Sequence, residues 1–156
     1  MHPLFHRDGP SPHITWAELA CKDGTPYPSE WVEARLLPLA AEFEAVREIL
    51  QLPIVIASAY RTEQWNRKVG GSRHSQHVQG RALDLRPTMH ADKLTGKLVN
   101  DYDHFLIYDA VMKRVREVES KIRGLALYPW GVHIDIRPQS YISRWGGKRV
   151  QPEVIE

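Results

Sequence analysis

The sequence predicts an α+β fold, in which helices flank a small, mainly antiparallel sheet. Apolar residues recur at helical spacing in an early segment, 36–50, and in a late segment, 108–122. Short apolar runs with the length and composition of strands are grouped apart from these helical segments. Such segregation of helices and strands along the chain is typical of α+β domains. The predicted strands are 53–58, 81–86, 125–128 and 132–136.

The length and composition are those of one globular domain. We expect a single domain over residues 1–156, with a core of about 14–138 between an irregular N-terminal arm and a C-terminal tail. A hydrophobic fraction of 42% and a charged fraction of 26% exclude the composition of a disordered chain. The net charge of +2 is too small to indicate a nucleic-acid partner.

The number of cysteines and the hydropathy of the sequence exclude disulfide-linked and membrane-spanning classes of protein. Cys21 is the only cysteine, which rules out an internal disulfide and a cysteine-based metal site. No apolar run approaches the length of a transmembrane helix, and the first residues lack the apolar core of a signal peptide. We therefore expect synthesis in the cytoplasm without a signal peptide, and no membrane segment.

Two helices are predicted before the first strand. Thr15 and Glu18 have the spacing of a capping box, which opens a short helix. Ser29 is the predicted N-cap of the second helix, and Pro38 is expected either in its first turn or at a kink. The apolar face of this second helix consists of Leu36, Leu39, Ala40, Phe43, Val46 and Leu50.

The middle of the chain predicts a strand, a short helix over 62–69, a loop and a second strand that Pro87 ends. The loop begins at Gly70 because consecutive glycines stop a helix. It carries three side chains that are able to bind a metal ion or a substrate: His74, Ser75 and His77.

The last third of the chain predicts a surface excursion over 88–103, because that segment is polar. The late helical segment is expected to run to 122 and to end at Gly124. The final two strands read as a hairpin across residues 129–131. The tail over 137–156 is expected to be irregular.

Two short runs supply metal-binding groups. His77 and Asp84 lie seven positions apart with Gly80 between them, and His133 and Asp135 lie on a predicted strand. Because strand side chains alternate between faces, His133 and Asp135 share a face, and Asp84 lies on the polar face of its own strand. Two imidazoles and a carboxylate form the ligand set of a catalytic zinc site.

Each of these residues also has an ordinary explanation when it is taken alone. Asp84 is able to pair with Arg81 or Arg86, and His133 is able to serve as a hydrogen-bonded core histidine. The whole set arises by chance far less easily than any one member. The remaining histidines outside the loop are expected to be ordinary surface residues: His2, His6, His13, His90 and His104.

The run from Ser75 to Asp84 reads Ser-x-His-x-x-Gly-x-Ala-x-Asp, and it resembles the metal loop of zinc D-alanyl-D-alanine carboxypeptidases. Relatives of these enzymes occur among phage endolysins, and the hedgehog-like fold belongs to the same superfamily. Residues 58–61 resemble the Ser-Gly-Tyr-Arg segment of the family, and residues 132–135 are similar to its C-terminal His-x-Asp or His-x-His strand. The resemblance covers roughly residues 14–138.

The resemblance implies a fold, a cofactor and a substrate. Its fold would be hedgehog-like, and its cofactor would be Zn²⁺ bound by His77, Asp84 and His133. The implied substrate is a peptidoglycan stem peptide, cut at a bond involving a D-amino acid by carboxypeptidase or endopeptidase action. Such a substrate places the reaction at the cell wall, after release or export. Further residues assigned to the substrate are Arg61 for a carboxylate or oxyanion, Ser75 and Gln76 for hydrogen bonds, and Tyr128 and Trp130 for an aromatic wall.

The chain departs from the family at the general base. Many relatives carry an acid three residues before the last histidine, where this chain has Trp130. Asp135 is the nearest acidic substitute, and it would either accept the proton of the attacking water or orient His133. Direct ligation by Asp135 is disfavoured because a fourth protein ligand would close the site. His74 remains a further candidate on the metal loop.

Three hypotheses follow. The first is a zinc peptidase that acts on cell-wall peptides. The second is a non-catalytic zinc-containing module, as a phage structural or cell-wall-binding component, and it is motivated by Trp130. The third is a metal-dependent nuclease, which is disfavoured because the basic residues near the loop form no strong stripe. The oligomeric state stays open.

Overall fold

The computed structural model describes residues 8–147. His2, His6, the rest of the predicted arm before residue 8 and the part of the tail after residue 147 lie outside the described residues. Four α-helices and seven strands occur in this part of the chain. The helices are α1 (Trp16–Leu19), α2 (Leu37–Leu50), α3 (Glu63–Lys68) and α4 (Phe105–Arg114). The strands are β1 (Ile54–Ser58), β2 (Ala82–Pro87), β3 (Met89–Ala91), β4 (Leu98–Asn100), β5 (Gly124–Tyr128), β6 (Gly131–Asp135) and β7 (Ser143–Gly146).

The main sheet has five strands in the order β1-β2-β6-β5-β7. Three of its pairings are antiparallel, and only β5 and β7 run parallel. A separate antiparallel ladder joins β3 to β4. The predicted α+β class with a small, mainly antiparallel sheet is therefore confirmed.

The core lies on one face of the main sheet. Leu83 and Leu85 from β2 join Ile134 from β6 in one buried cluster. Phe43 from α2 and Val111 from α4 belong to the same cluster, so these helices cover the apolar face. Because side chains alternate along a strand, the residues between these leucines and isoleucines point to the opposite face.

The start of the chain agrees with the predicted capping box. The Glu18 backbone N–H donates to the Thr15 hydroxyl at 3.2 Å, and the Thr15 backbone N–H donates to the Glu18 carboxylate at 2.8 Å. The predicted N-cap at Ser29 is wrong, because Ser29 is itself the first residue of a 3₁₀ turn, 29–31, and its side chain does not cap. A π-helical turn, 32–36, then leads into α2, whose first turn contains Pro38.

The predicted helix over 108–122 is wrong in its second half, because α4 ends at Arg114 and Gly124 begins β5. A buried carboxylate from α2 accounts for the early end. Glu42 accepts hydrogen bonds from the Arg114 guanidinium, the Ser120 hydroxyl and the Lys121 backbone N–H, all at 3.0 Å. A backbone N–H that binds Glu42 is not available to a helix, so these bonds favour the turns that follow Arg114.

Two segments that the sequence assigned to irregular structure contain strands. The surface excursion over 88–103 is exposed as predicted, but it includes the hairpin formed by β3 and β4. The tail contains β7, which extends the main sheet beside β5. The two strands are parallel and are not adjacent in sequence, so no local sequence pattern predicts their pairing.

Two further predictions concern histidines and membranes. His13 and His90 are exposed, as expected for ordinary surface residues. His104 is mostly buried, because its ring packs on Phe105 with a centroid distance of 4.7 Å, and its assignment to the surface is wrong. Within residues 8–147, the helices are all too short or too polar to cross a bilayer.

Replacing Glu42 by alanine should destabilise the fold. Among residues 8–147, the substitution leaves the Arg114 guanidinium, whose side chain is 12% exposed, with the solvent-exposed Glu117 as its remaining ionic partner. We expect the free energy of unfolding to fall by about 3 kcal/mol in urea titrations. The control is Glu48→Ala, an exposed position on the same helix, for which we expect a change below about 0.5 kcal/mol. Equal effects for the two variants would contradict the buried role of Glu42.

Candidate metal centre

Three side chains converge on the polar face of the main sheet. Asp84 and His133 are direct partners in the antiparallel pairing of β2 with β6. His77 comes from the loop before β2, and its ring lies 5.2 Å from the His133 ring between centroids. The loop returns to the sheet at Gly80, which has a φ of 70°, and a side chain there would meet Trp31 at 2.8 Å. The pairing of β2 with β6 and the loop before β2 therefore bring together the three predicted ligands.

The donor atoms lie within reach of a single ion. The Oδ1 atom of Asp84 is 3.1 Å from Nε2 of His77 and 3.0 Å from Nδ1 of His133. One ligand atom from each residue lies within 4.8 Å of the others. All three residues are buried, although they border a cleft. The spacing is suitable for one cation that draws the three atoms together.

The outer nitrogen of each imidazole is already committed. Nδ1 of His77 donates to the Ala59 backbone carbonyl at 2.7 Å, and Nε2 of His133 donates to Asp135 at 2.7 Å. A neutral imidazole has one N–H, so when its outer nitrogen donates, the inner nitrogen of each neutral ring has a lone pair that can bind a cation. Hydrogen bonding of the outer nitrogen is the usual arrangement of a metal-bound histidine.

The charges of the centre favour a cation. Burial raises the pKa of Asp84, but hydrogen bonds from His133 and His77 outweigh burial and hold that pKa well below its usual range. Burial lowers the pKa of His133, but Asp135 and Asp84 together raise it. The ionised carboxylate of Asp84 therefore attracts positive charge, which protons on the two rings or a bound cation would supply. These residues fit Zn²⁺, which prefers nitrogen and carboxylate ligands.

Asp135 lies behind His133 rather than in the cleft. Its side chain is fully buried, and Arg137 donates to it from Nε at 2.8 Å and from Nη2 at 2.7 Å. Burial raises the pKa of Asp135, but hydrogen bonds from Arg137 and His133 lower it to about 2. The carboxylate fits only because residue 124 is glycine. The Cβ of any other residue at this position would lie 2.1 Å from a carboxylate oxygen of Asp135. This position agrees with the orienting alternative for Asp135.

Arg61 is fixed beside the centre. Its Nε donates to the Ser58 hydroxyl at 3.2 Å, and its Nη1 donates to the Asn66 side-chain oxygen at 3.2 Å. Its Nη2 lies 3.5 Å from the Asp84 carboxylate, so Asp84 pairs with Arg61. Neither of the arginines considered from sequence, Arg81 and Arg86, forms an ion pair with Asp84 in the described chain.

A cleft of about 630 Å³ opens over the three ligands. The residues that the sequence assigned to substrate all line it: Arg61, Ser75, Gln76, Tyr128 and Trp130. His74, the further candidate on the metal loop, lines it as well. Tyr128 and Trp130 are stacked with a centroid distance of 5.2 Å and an interplanar angle of 5°, and they form an aromatic wall.

Sequence reasoning missed two residues of this site. Arg137 continues the alternation of His133 and Asp135, so the period of the strand was a usable signal for it. Trp145 lies on β7, with its ring 5.1 Å from that of His133 and its indole N–H donating to the Tyr128 hydroxyl at 2.8 Å. No sequence signal placed Trp145, because the tail was expected to be irregular.

A family model described as Peptidase M15 matches residues 12–102, more than half of the chain. The matched stretch includes His77 and Asp84, whereas His133 lies beyond it. No curated protein matches the chain.

Replacing Asp135 by asparagine should weaken zinc binding. The amide has nearly the shape of the carboxylate, but it lacks the charge that holds His133 and Arg137 in place. We expect the dissociation constant for Zn²⁺ to rise by about 10- to 100-fold in competition with a chromophoric chelator. Asp101→Asn, an exposed position on another part of the chain, should leave it unchanged. An unchanged zinc affinity in Asp135→Asn would contradict the orienting role.

Proposed function

This chain belongs to the Peptidase M15 family, and we propose that it is a zinc-dependent peptidase that hydrolyses peptidoglycan stem peptides. The bond cut would involve a D-amino acid, by carboxypeptidase action or by endopeptidase action of the endolysin type. The observation that carries this proposal is the convergence of His77, Asp84 and His133 at a cleft. We further propose that the protein acts at the cell wall, where that substrate lies, after release or export.

Three protein ligands are the number that catalytic zinc sites use, since such sites keep a position open for water or substrate. When bound there, Zn²⁺ would supply a Lewis acid that polarises the scissile carbonyl and makes a water molecule acidic. The chain would contribute two neutral imidazoles and one carboxylate, each held by an outer hydrogen bond or by Arg61. These hydrogen bonds and the Arg61 ion pair would keep the ligands in place during turnover.

The cleft also supplies groups for the substrate. Arg61 presents a planar cation that suits a peptide carboxylate or the oxyanion that develops on the carbonyl. Its bonds to Ser58 and Asn66 fix the guanidinium, so little reorganisation is needed during the reaction. Ser75 and Gln76 would hydrogen-bond the peptide backbone, and the wall of Tyr128 and Trp130 would contact its apolar parts.

The proton of the attacking water needs an acceptor. Trp130 is unable to accept it. Because Asp135 is enclosed by His133 and Arg137, we propose that it positions His133 rather than accepting the proton. Apart from the three ligands, the ionisable side chains that line the cleft are Arg61, His74, Tyr128 and Arg137. We assign the acceptor role to His74, because imidazole is the only one of these groups that commonly acts as a base near neutral pH.

A non-catalytic zinc-containing module, as a phage structural or cell-wall-binding component, is the second candidate function. The observation that favours it is the lack of a carboxylate in the cleft beyond the ligand Asp84, among the residues that line it. Such a module would bind zinc and peptide through the same cleft without turnover.

Digestion of purified peptidoglycan, with fragments identified by mass, tests the first candidate against the second. We expect cleavage at a D-amino acid bond that stops with a chelator, returns with Zn²⁺ and is lost in His133→Ala. The control is His90→Ala, an exposed histidine on the β3–β4 hairpin, which should cleave normally. Zinc-loaded protein that binds the peptides but leaves them intact would favour the non-catalytic module.

Replacing His74 by glutamine should slow hydrolysis without loss of zinc. We expect kcat to fall by about 10²- to 10⁴-fold, since that is the usual contribution of a general base. The zinc content, measured by metal analysis, should stay at the wild-type value because His74 is not a ligand. His13→Gln is the matched exposed control. A wild-type kcat in His74→Gln would exclude His74 as the acceptor.

A further inference from the structure

A second cleft lies next to the metal cleft. It has a volume of about 770 Å³ and runs between α3 and the loop that carries His77. We refer to it as the outer cleft. The two clefts share four lining residues, which therefore form the wall between them: Gly71, His74, Ser75 and Gln76. A peptide longer than the metal cleft would cross this wall into the outer cleft.

The dividing wall is fastened to α3. The Asn66 side-chain amide donates to the Ser72 carbonyl at 2.8 Å, and the Gly71 backbone N–H donates to the Asn66 carbonyl at 2.8 Å. A Cβ at residue 71 would lie 2.0 Å from the Asn66 side-chain oxygen, so glycine is needed for this close approach. Because Asn66 also accepts from Arg61, the wall and the metal cleft are held by one set of contacts.

The outer cleft carries an excess of positive charge. Arg67 and Arg73 line it, and neither forms an ion pair with any residue of 8–147. Of the described part of the chain, Glu63 is the one acidic residue that lines it. By contrast, the neighbouring cation Lys68 lies over the Trp65 ring, 5.4 Å from its centroid, and is absent from the lining. Two exposed guanidinium groups without partners suit a carboxylate, which arginine binds through paired N–H donors.

Gln76, in the wall between the clefts, has one polar side-chain atom without a partner among the described residues. Its side-chain oxygen is buried and accepts no hydrogen bond from the described residues. Buried acceptors in folded proteins nearly always have a donor. Gln76 lines both clefts, but this oxygen is closed to solvent, so a peptide N–H at the wall would reach it only after the Gln76 side chain turned outward.

We propose that the outer cleft is a subsite for a carboxylate-bearing part of the peptide substrate, bound by Arg67 and Arg73. The inference rests on the proposed function, and it deepens that function in one respect. A peptide held in both clefts extends well away from the reacting bond, so the protein would prefer extended peptides over short terminal fragments. Of the two modes of cleavage, this arrangement favours endopeptidase action.

Peptide binding to the metal-free protein tests the subsite without depending on turnover. The probes are one stem peptide with free side-chain carboxylates and the same peptide with those groups converted to carboxamides. We expect wild-type protein to bind the carboxylate form at least about tenfold more tightly by isothermal titration calorimetry, as for hydrogen bonds to a charged group. The preference should disappear in the double variant Arg67→Gln, Arg73→Gln.

The matched control is Lys68→Gln, which removes a neighbouring positive charge outside the outer cleft and should retain the preference. In zinc-loaded protein, the double variant should raise KM for the carboxylate peptide while kcat stays near the wild-type value. Equal binding of the two peptides by wild-type protein, or a preference that survives in the double variant, would overturn the subsite. Peptide discrimination without hydrolysis would instead contradict the peptidase proposal and leave the subsite intact.

Discussion

The antiparallel pairing of β2 with β6 is the constraint on which the site depends. This pairing sets Asp84 directly opposite His133, and it gives both strands an apolar face toward the helices. A shift of one residue in the register would send Asp84 into the core and a leucine into the cleft. The burial of Leu83, Leu85 and Ile134 therefore fixes the metal-binding geometry as well as the fold.

Around this pairing, each ligand has its own support. His77 donates a hydrogen bond to the Ala59 carbonyl. His133 donates one to Asp135, whose charge Arg137 neutralises. Trp145 covers the same region from β7 and also contacts Arg137, whose guanidinium lies 4.9 Å from the indole centroid. The last strand of the sheet therefore contributes to the site through packing, although it supplies no ligand.

Much of this arrangement was predictable from sequence because it depends on the local periodicity of apolar and polar residues. The alternation along β2 and β6 placed Asp84 and His133 on one face, and the capping box at Thr15 fixed the start of α1. The early end of α4 was not predictable, because it depends on Glu42, which is distant in sequence from Ser120 and Lys121. The parallel pairing of β7 with β5 and the close approach of Gly124 to Asp135 were not predictable for the same reason, because they also depend on contacts between separate segments.

The central claim is that two imidazoles and one carboxylate bind a single zinc ion. X-ray absorption at the zinc edge tests it most directly, in protein loaded with one equivalent of Zn²⁺. The account predicts a light-atom shell at about 2.0–2.2 Å with outer scattering from two imidazoles, one of which is lost in His77→Ala. A spectrum with sulfur ligation from Cys21, or one that His77→Ala leaves unchanged, would contradict it.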